Sequence, residues 1–155
     1  MHRTFLLMTF ALLITLSGAL AADEGDAGLG IILGEPTGLT GKLWLGTDSA
    51  VSGAVAWSFA DNTRLHVHAD WLRHNWDVLK RAFDVQQGEL PLYYGIGGRL
   101  RFDDDARVGV RFVIGVDYIF EQAPFDIFFE IAPVMDVVPQ TSLNGNAALG
   151  ARIWF

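Results

Sequence analysis

The chain has 155 residues, a length suited to one domain; it is 51% hydrophobic and carries eleven Lys and Arg against eighteen Asp and Glu, a formal charge of −7 at pH 7. Such acidity weighs against nucleic acid as a partner, and with no cysteine the chain can form no disulfide, run no thiol chemistry and carry no lipoprotein anchor. Beyond residue 21 no apolar run approaches the ~18 residues of a helical span, so the hydrophobic surface must be buried in a core or displayed by strands.

The amino terminus reads as a cleaved secretory signal covering residues 1–21. His2 and Arg3 form the basic start, residues 5–16 an apolar core too short for a lasting anchor, and Ala19-Leu20-Ala21 a small-x-small cleavage site. The mature protein then begins near Ala22 and residues 22–155 form one domain. Losing Arg3 leaves ten basic residues against eighteen acids, a formal charge of −8.

After a short acidic segment, residues 22–26, apolar and small or polar residues alternate with a period of two, which is the signature of strands. The first strand spans residues 27–34 and the second 38–45, joined by Glu35-Pro36-Thr37, where proline presets a turn. A third, residues 50–59, turns Val51, Val55, Trp57 and Phe59 one way and Ser52, Ala54, Ala56 and Ser58 the other. A turn at residues 60–63 leads to a fourth, which sets Leu65, Val67, Ala69 and Trp71 against His66, His68 and Asp70. Residues 72–89 lose the period and read as the longest connection. Strands at residues 90–102, 107–118 and 125–132 follow, the first two separated by the Asp103-Asp104-Asp105 turn; residues 133–142 read as a loop into a last strand at residues 143–155.

Alternation alone does not say which face is outside, because a soluble lipocalin-like barrel has the same period with its apolar row inward. The polar face decides. Here it is Gly, Ala and Ser interleaved with Arg, His and Asp, and Lys42 and Lys80 are the only lysines, whereas a soluble exterior would be rich in Lys, Glu and Thr. Eight strands leave an interior that side chains just fill, so small residues between a few long charged ones suit a narrow lumen. The opposite face, with Trp44, Trp57, Phe59, Trp71, Phe102, Tyr118 and Phe125 toward strand ends, suits a lipid-facing band with aromatic girdles. The expected fold is all-β: an eight-stranded antiparallel up-and-down transmembrane β-barrel, preceded by the signal peptide.

The last strand ends on Phe155, with Ile153, Ala151, Leu149, Ala147, Gly145 and Leu143 behind it on one uncharged face. It resembles the carboxyl-terminal strand of bacterial outer-membrane barrels, whose final Phe is read by the barrel-assembly machinery. The stretches at residues 28–38, 65–70, 90–99 and 131–133 (Gly28-Leu29-Gly30 through Gly38, Leu65-His66-Val67-His68-Ala69-Asp70, Leu90-Pro91-Leu92-Tyr93-Tyr94-Gly95 through Arg99, Ile131-Ala132-Pro133) resemble a widespread family of small bacterial outer-membrane proteins. That family is similar to the eight-stranded barrels of spirochaetes and to the membrane domain of the outer-membrane protein A type. The resemblance implies residence in the outer membrane, contact with outer-membrane lipid, assembly through Phe155, and a monomer; it implies no activity, so no functional residue transfers. One feature departs from the usual pattern: with both termini in the periplasm, the long connection at residues 72–89 falls on the periplasmic side, where bacterial barrels have short turns.

The inward ionisable set is His66, His68, Asp70, Arg99, Arg101, Arg107, Arg111, Asp117, Asp126, Glu130 and Arg152. Charges inside a filled barrel must pair, so these residues read as a lumen ion-pair network that closes the lumen. The alternative is an enzyme modifying lipid A. A deacylase of that kind needs a His-x-Ser pair with a carboxylate orienting the His, on the lipid-facing surface. Here the spacing is His66-Val67-His68, with Asp70 on the same face and Ser58 on the neighbouring strand, and these histidines turn inward. Two histidines and Asp70 also fall short of a metal-ligand set, and the Asp103 to Asp105 run lacks the alternating spacing of a calcium loop, so neither metal nor cofactor is expected. The expected role is structural or surface-interacting; a lipid-modifying enzyme and a soluble periplasmic lipocalin-like binder are the alternatives.

Overall fold

In β1 (Ala27–Gly34) the residues Leu29, Ile31 and Leu33 are exposed while Gly28 and Ile32 are buried, and this alternation runs around the whole molecule. The computed structural model describes residues 25–58 and 64–155. The expected signal segment, the turn at residues 60–63, Phe59, and the side chains of Ser58 and Arg64 lie outside the described residues. The strands are β1, β2 (Gly38–Trp44), β3 (Ser49–Ser58), β4 (Arg64–Asn75), β5 (Leu92–Phe102), β6 (Ala106–Ile119), β7 (Phe125–Val138) and β8 (Ser142–Trp154), with one short helix, α1 (Val78–Ala82), between β4 and β5.

Each strand pairs antiparallel with the next, and β8 returns to β1 from Gly28 opposite Trp154 to Gly34 opposite Ala148, closing an eight-stranded up-and-down barrel. Closure removes every sheet edge, so no strand is left with an unpaired ladder of backbone groups. It also brings the ends of the described chain together: the Gly25 N–H donates to the Phe155 carbonyl, and the Phe155 N–H donates to Ala27 O at 2.9 Å. The termini therefore share one end of the barrel with the β2–β3, β4–β5 and β6–β7 connections. The far end carries the turns at residues 35–37, 103–105 and 139–141.

Two sequence expectations change. Residues 133–142 are not a loop: β7 continues to Val138, with Val134 and Asp136 facing in and Met135 and Val137 out. Pro133 suggests a break because it cannot donate to a ladder. Here the β6–β7 pairing skips that level, between Arg111 opposite Val134 and Ile114 opposite Ile131, while Pro133 still lies opposite Gly145 of β8. The connection expected at residues 72–89 is shorter than that, because β4 runs on to Asn75, and α1 fills part of what remains. Asn75 Oδ1 accepts from the Asp77 and Val78 N–H groups at 3.2 and 3.1 Å, which turns the chain out of the strand and into α1.

The interior is narrow, and glycines show how narrow. A Cβ on Gly150 would collide with the Phe128 ring and the Ile31 carbonyl, and one on Gly97 with the Asp70 carboxylate and the Ala69 carbonyl. Much of the buried apolar surface is small, with Ala54, Ala132 and Ala148 packed among Ile32, Leu72, Tyr93, Val113 and Phe128. Gly145 faces outward with nothing within 4 Å of its Cβ direction. Gly150→Leu should therefore cost at least ~1–3 kcal/mol or block folding, through overpacking. Gly145→Ala on the same strand should stay within ~0.5 kcal/mol, as surface changes do. Urea unfolding of the two variants, followed by tryptophan fluorescence, reads the difference.

Candidate functional site

The polar interior is organised in three clusters, each joining strands that are distant in sequence. At the end that holds the termini, Asp117 on β6 accepts from Lys42 Nζ of β2 and, through its other oxygen, from Arg152 Nη2 of β8 at 2.7 Å. Arg152 also donates from Nε and Nη2 to Asp126 of β7 at 3.1 and 3.0 Å, and its guanidinium lies 4.2 Å over the Phe128 ring. Lys42 sits between the faces of Trp44 and Tyr93, at 4.6 and 5.2 Å. Such cation–π contacts gain strength where water is excluded. His74 of β4 comes within 3.7 Å of Asp117 and tilts against Trp44, which stacks in turn on Trp76 and Trp154. Three indoles thus cap the cluster.

In the middle cluster Arg111 is wholly buried. Its Nη2 donates to Glu130 Oε1 at 2.7 Å, and its Nε lies 2.9 Å from Asp70 Oδ1, an ion-pair approach without hydrogen-bond alignment. Tyr93 Oη donates to the other Glu130 oxygen at 3.1 Å. His68 Nε2 stands 3.6 Å from Asp70 Oδ2, and the His66 and His68 rings meet edge to face at 5.6 Å.

Toward the far end Arg99 clamps both oxygens of Asp136 through Nη2 at 2.6 and 2.7 Å and donates from Nη1 to Asn146 Oδ1 at 3.3 Å. Asn144 adds a bond to Asp136 Oδ2 at 2.8 Å. Arg101 and Arg107 share Asp103 at the rim, at 3.0 and 3.9 Å, and are partly exposed. Above this cluster lies an open recess of about 390 Å³, lined by the turn of residues 34–37 together with Ala56, Trp57, His66, Arg99, Arg101 and Asn146.

Of the residues expected inside, His68, Asp70, Arg99, Arg111, Asp117, Asp126, Glu130 and Arg152 are buried there. His66 is half-buried on the same face, and Arg101 and Arg107 belong to the rim. The expected set omits Lys42, His74 and Asp136. For Lys42 a signal exists, since Gly38, Thr40, Lys42 and Trp44 share a parity within β2. That parity also corrects Trp44, which points inward against Lys42 and His74 instead of joining an outer girdle. His74 and Asp136 fall in the two stretches read as connections, where the period continues but is shortened or masked by Pro133.

Chemically, the arrangement fits a structural network. Four buried cations, Lys42, Arg99, Arg111 and Arg152, meet five buried carboxylates, Asp70, Asp117, Asp126, Glu130 and Asp136, and most of the pairs cross between strands. Among the described residues no group of three or more His, Asp or Glu side chains is set to hold a metal ion. No protein-family model, curated protein or solved structure matches the chain.

The network gives a graded expectation. Asp117→Asn removes the charge opposing two buried cations and should cost about 3–5 kcal/mol, the loss typical of one partner in a buried pair. Arg73→Gln breaks an ion pair with Asp48 whose side chains are 45% and 41% exposed, and should cost less than about 1 kcal/mol. Denaturant midpoints of both variants, measured side by side, check the ranking.

Proposed function

We propose that this chain is an integral outer-membrane β-barrel with a plugged polar lumen, acting in a structural or surface-interaction role. It reaches the membrane by its signal peptide and is assembled through Phe155. The observation that carries this reading is the inverted polarity of the barrel. Ion pairs and alanines are inside, while Leu29, Ile31, Leu39, Ile96, Phe112, Ile114, Phe129, Ile131, Leu149 and Ile153 are exposed on the wall. A monomer in water rarely shows a contiguous apolar patch above a few hundred Å². A hydrocarbon bilayer, in contrast, requires such a wall, with every backbone group paired as closure provides.

Neither alternative is favoured by the geometry. A soluble lipocalin-like binder keeps its apolar row inward around a ligand, and here that row points outward. A lipid A deacylase of the His-x-Ser type acts at the lipid-facing surface, and His66, His68 and Asp70 point into the lumen. Resemblance to the small outer-membrane barrels supports the location, and the filled lumen favours a protein that does not conduct.

Fractionation tests the reading. Cells expressing the full chain should hold it in the outer membrane in a form whose gel migration shifts on heating, and deletion of Phe155 should abolish that form. Recovery of soluble protein in the periplasm from both strains would overturn the proposal. Ile114→Lys, in the middle of β6 on the outer wall, should destabilise the protein in lipid by ~2–4 kcal/mol, as a lysine near the bilayer midplane does. Unfolding titrations in vesicles measure it.

A further inference from the structure

The far-end recess has a floor built from donors. Arg99 is 3% exposed and Asn146 7%, and both line it. Arg99 spends Nη1 and Nη2 on Asn146 and Asp136, leaving its Nε without a partner, and because Asn146 Oδ1 accepts from Arg99, the unpaired Nδ2 of Asn146 is held as a donor. His66 Nε2 in the same lining is also unpartnered, and Arg101 stands at the edge. The one carboxylate beneath, Asp136, is already taken by Arg99 and Asn144. Buried donors without acceptors each carry a desolvation cost that a ligand's acceptor atoms would relieve.

We propose that this recess binds a small oxyanion, of the carboxylate or phosphate-ester class, through Arg99 Nε, Asn146 Nδ2 and His66, with Arg101 as the mobile closing charge. Charge supports this. Arg99, Arg101 and Arg107 face Asp136 and Asp103, an excess of one cation, and Glu35 on the opposite lip is exposed and screened by solvent. A guanidinium and a carboxamide on a rigid β-wall hold their donors in place before the ligand arrives, which favours charge-assisted bonds. The oxyanion could be free in solution or borne on a phosphorylated lipid headgroup at the membrane surface. Only the second source rests on the outer-membrane reading.

The test uses protein purified from cells expressing the full chain, held in detergent micelles and titrated calorimetrically with inorganic phosphate at low ionic strength. It is then mixed with phosphatidylcholine vesicles with and without a phosphorylated glycolipid. Saturable binding is expected, weakened about tenfold by Asn146→Leu, the loss of one charge-assisted bond. Arg101→Gln, which leaves the buried network intact and so keeps the test open should Asn146→Leu fail to fold, should weaken it as well. Binding of phosphate without preference for the glycolipid vesicles assigns the free anion; preference for those vesicles assigns the headgroup. No saturable binding in either format, or unchanged affinity in the folded variants, overturns the proposal, and neither result bears on the cell fractionation.

Discussion

Asp117 is the residue on which the interior turns. It faces Lys42 from β2 on one side and Arg152 from β8 on the other, so that one carboxylate ties three strands that the chain reaches far apart in sequence. Arg152 extends the tie to Asp126 on β7, and His74 adds β4. The reason for so dense a network is geometric. Eight strands enclose a space that side chains fill, and little room remains for water to solvate a charge, so each ionised group must find its opposite on a neighbouring or facing strand. The small residues follow from the same constraint: long side chains such as Arg111 and Phe128 reach across only because Gly97, Gly115 and Gly150 leave room beside them.

That constraint also explains what the sequence could and could not disclose. The period of two is imposed by the pleat and is visible wherever one face is apolar, which is why β1, β3, β5 and β6 are legible almost residue for residue. In β7 the period persists through Asp136, but Pro133 interrupts the donor pattern and hides it. In β4 the turn at Asn75 is preceded by Arg73, an outward charge that blurs the apolar row at the strand's end. The interior set was legible as a face and not as a set of partners. Whether Arg111 meets Asp70 or Asp136 depends on strand tilt and stagger, and no local pattern carries those.

Trp44 shows a different limit. Tryptophan near a strand end suits a lipid interface equally well as it suits a lumen mouth, since its ring is apolar and its N–H polar. Parity within β2 separates the two, and parity requires the strand's register to be trusted over the residue's habit. The indoles of Trp44, Trp76 and Trp154 lie together over His74 and Lys42, so the aromatic character of that end belongs partly to the plug.

The closure of β8 on β1 has a bearing on how the barrel is made. Seven of the eight ladders join strands adjacent in sequence, and the eighth joins the two ends. Hairpins can zip locally and quickly, whereas the last ladder must bring together segments separated by almost the whole domain, at a cost that rises only with the logarithm of that separation. Arg152 lies on the strand that forms the last ladder. Until β8 docks, Asp117 and Asp126 lack their principal cation, so the ion pairs that hold the interior together mature late, and the same step that seals the wall also neutralises the lumen.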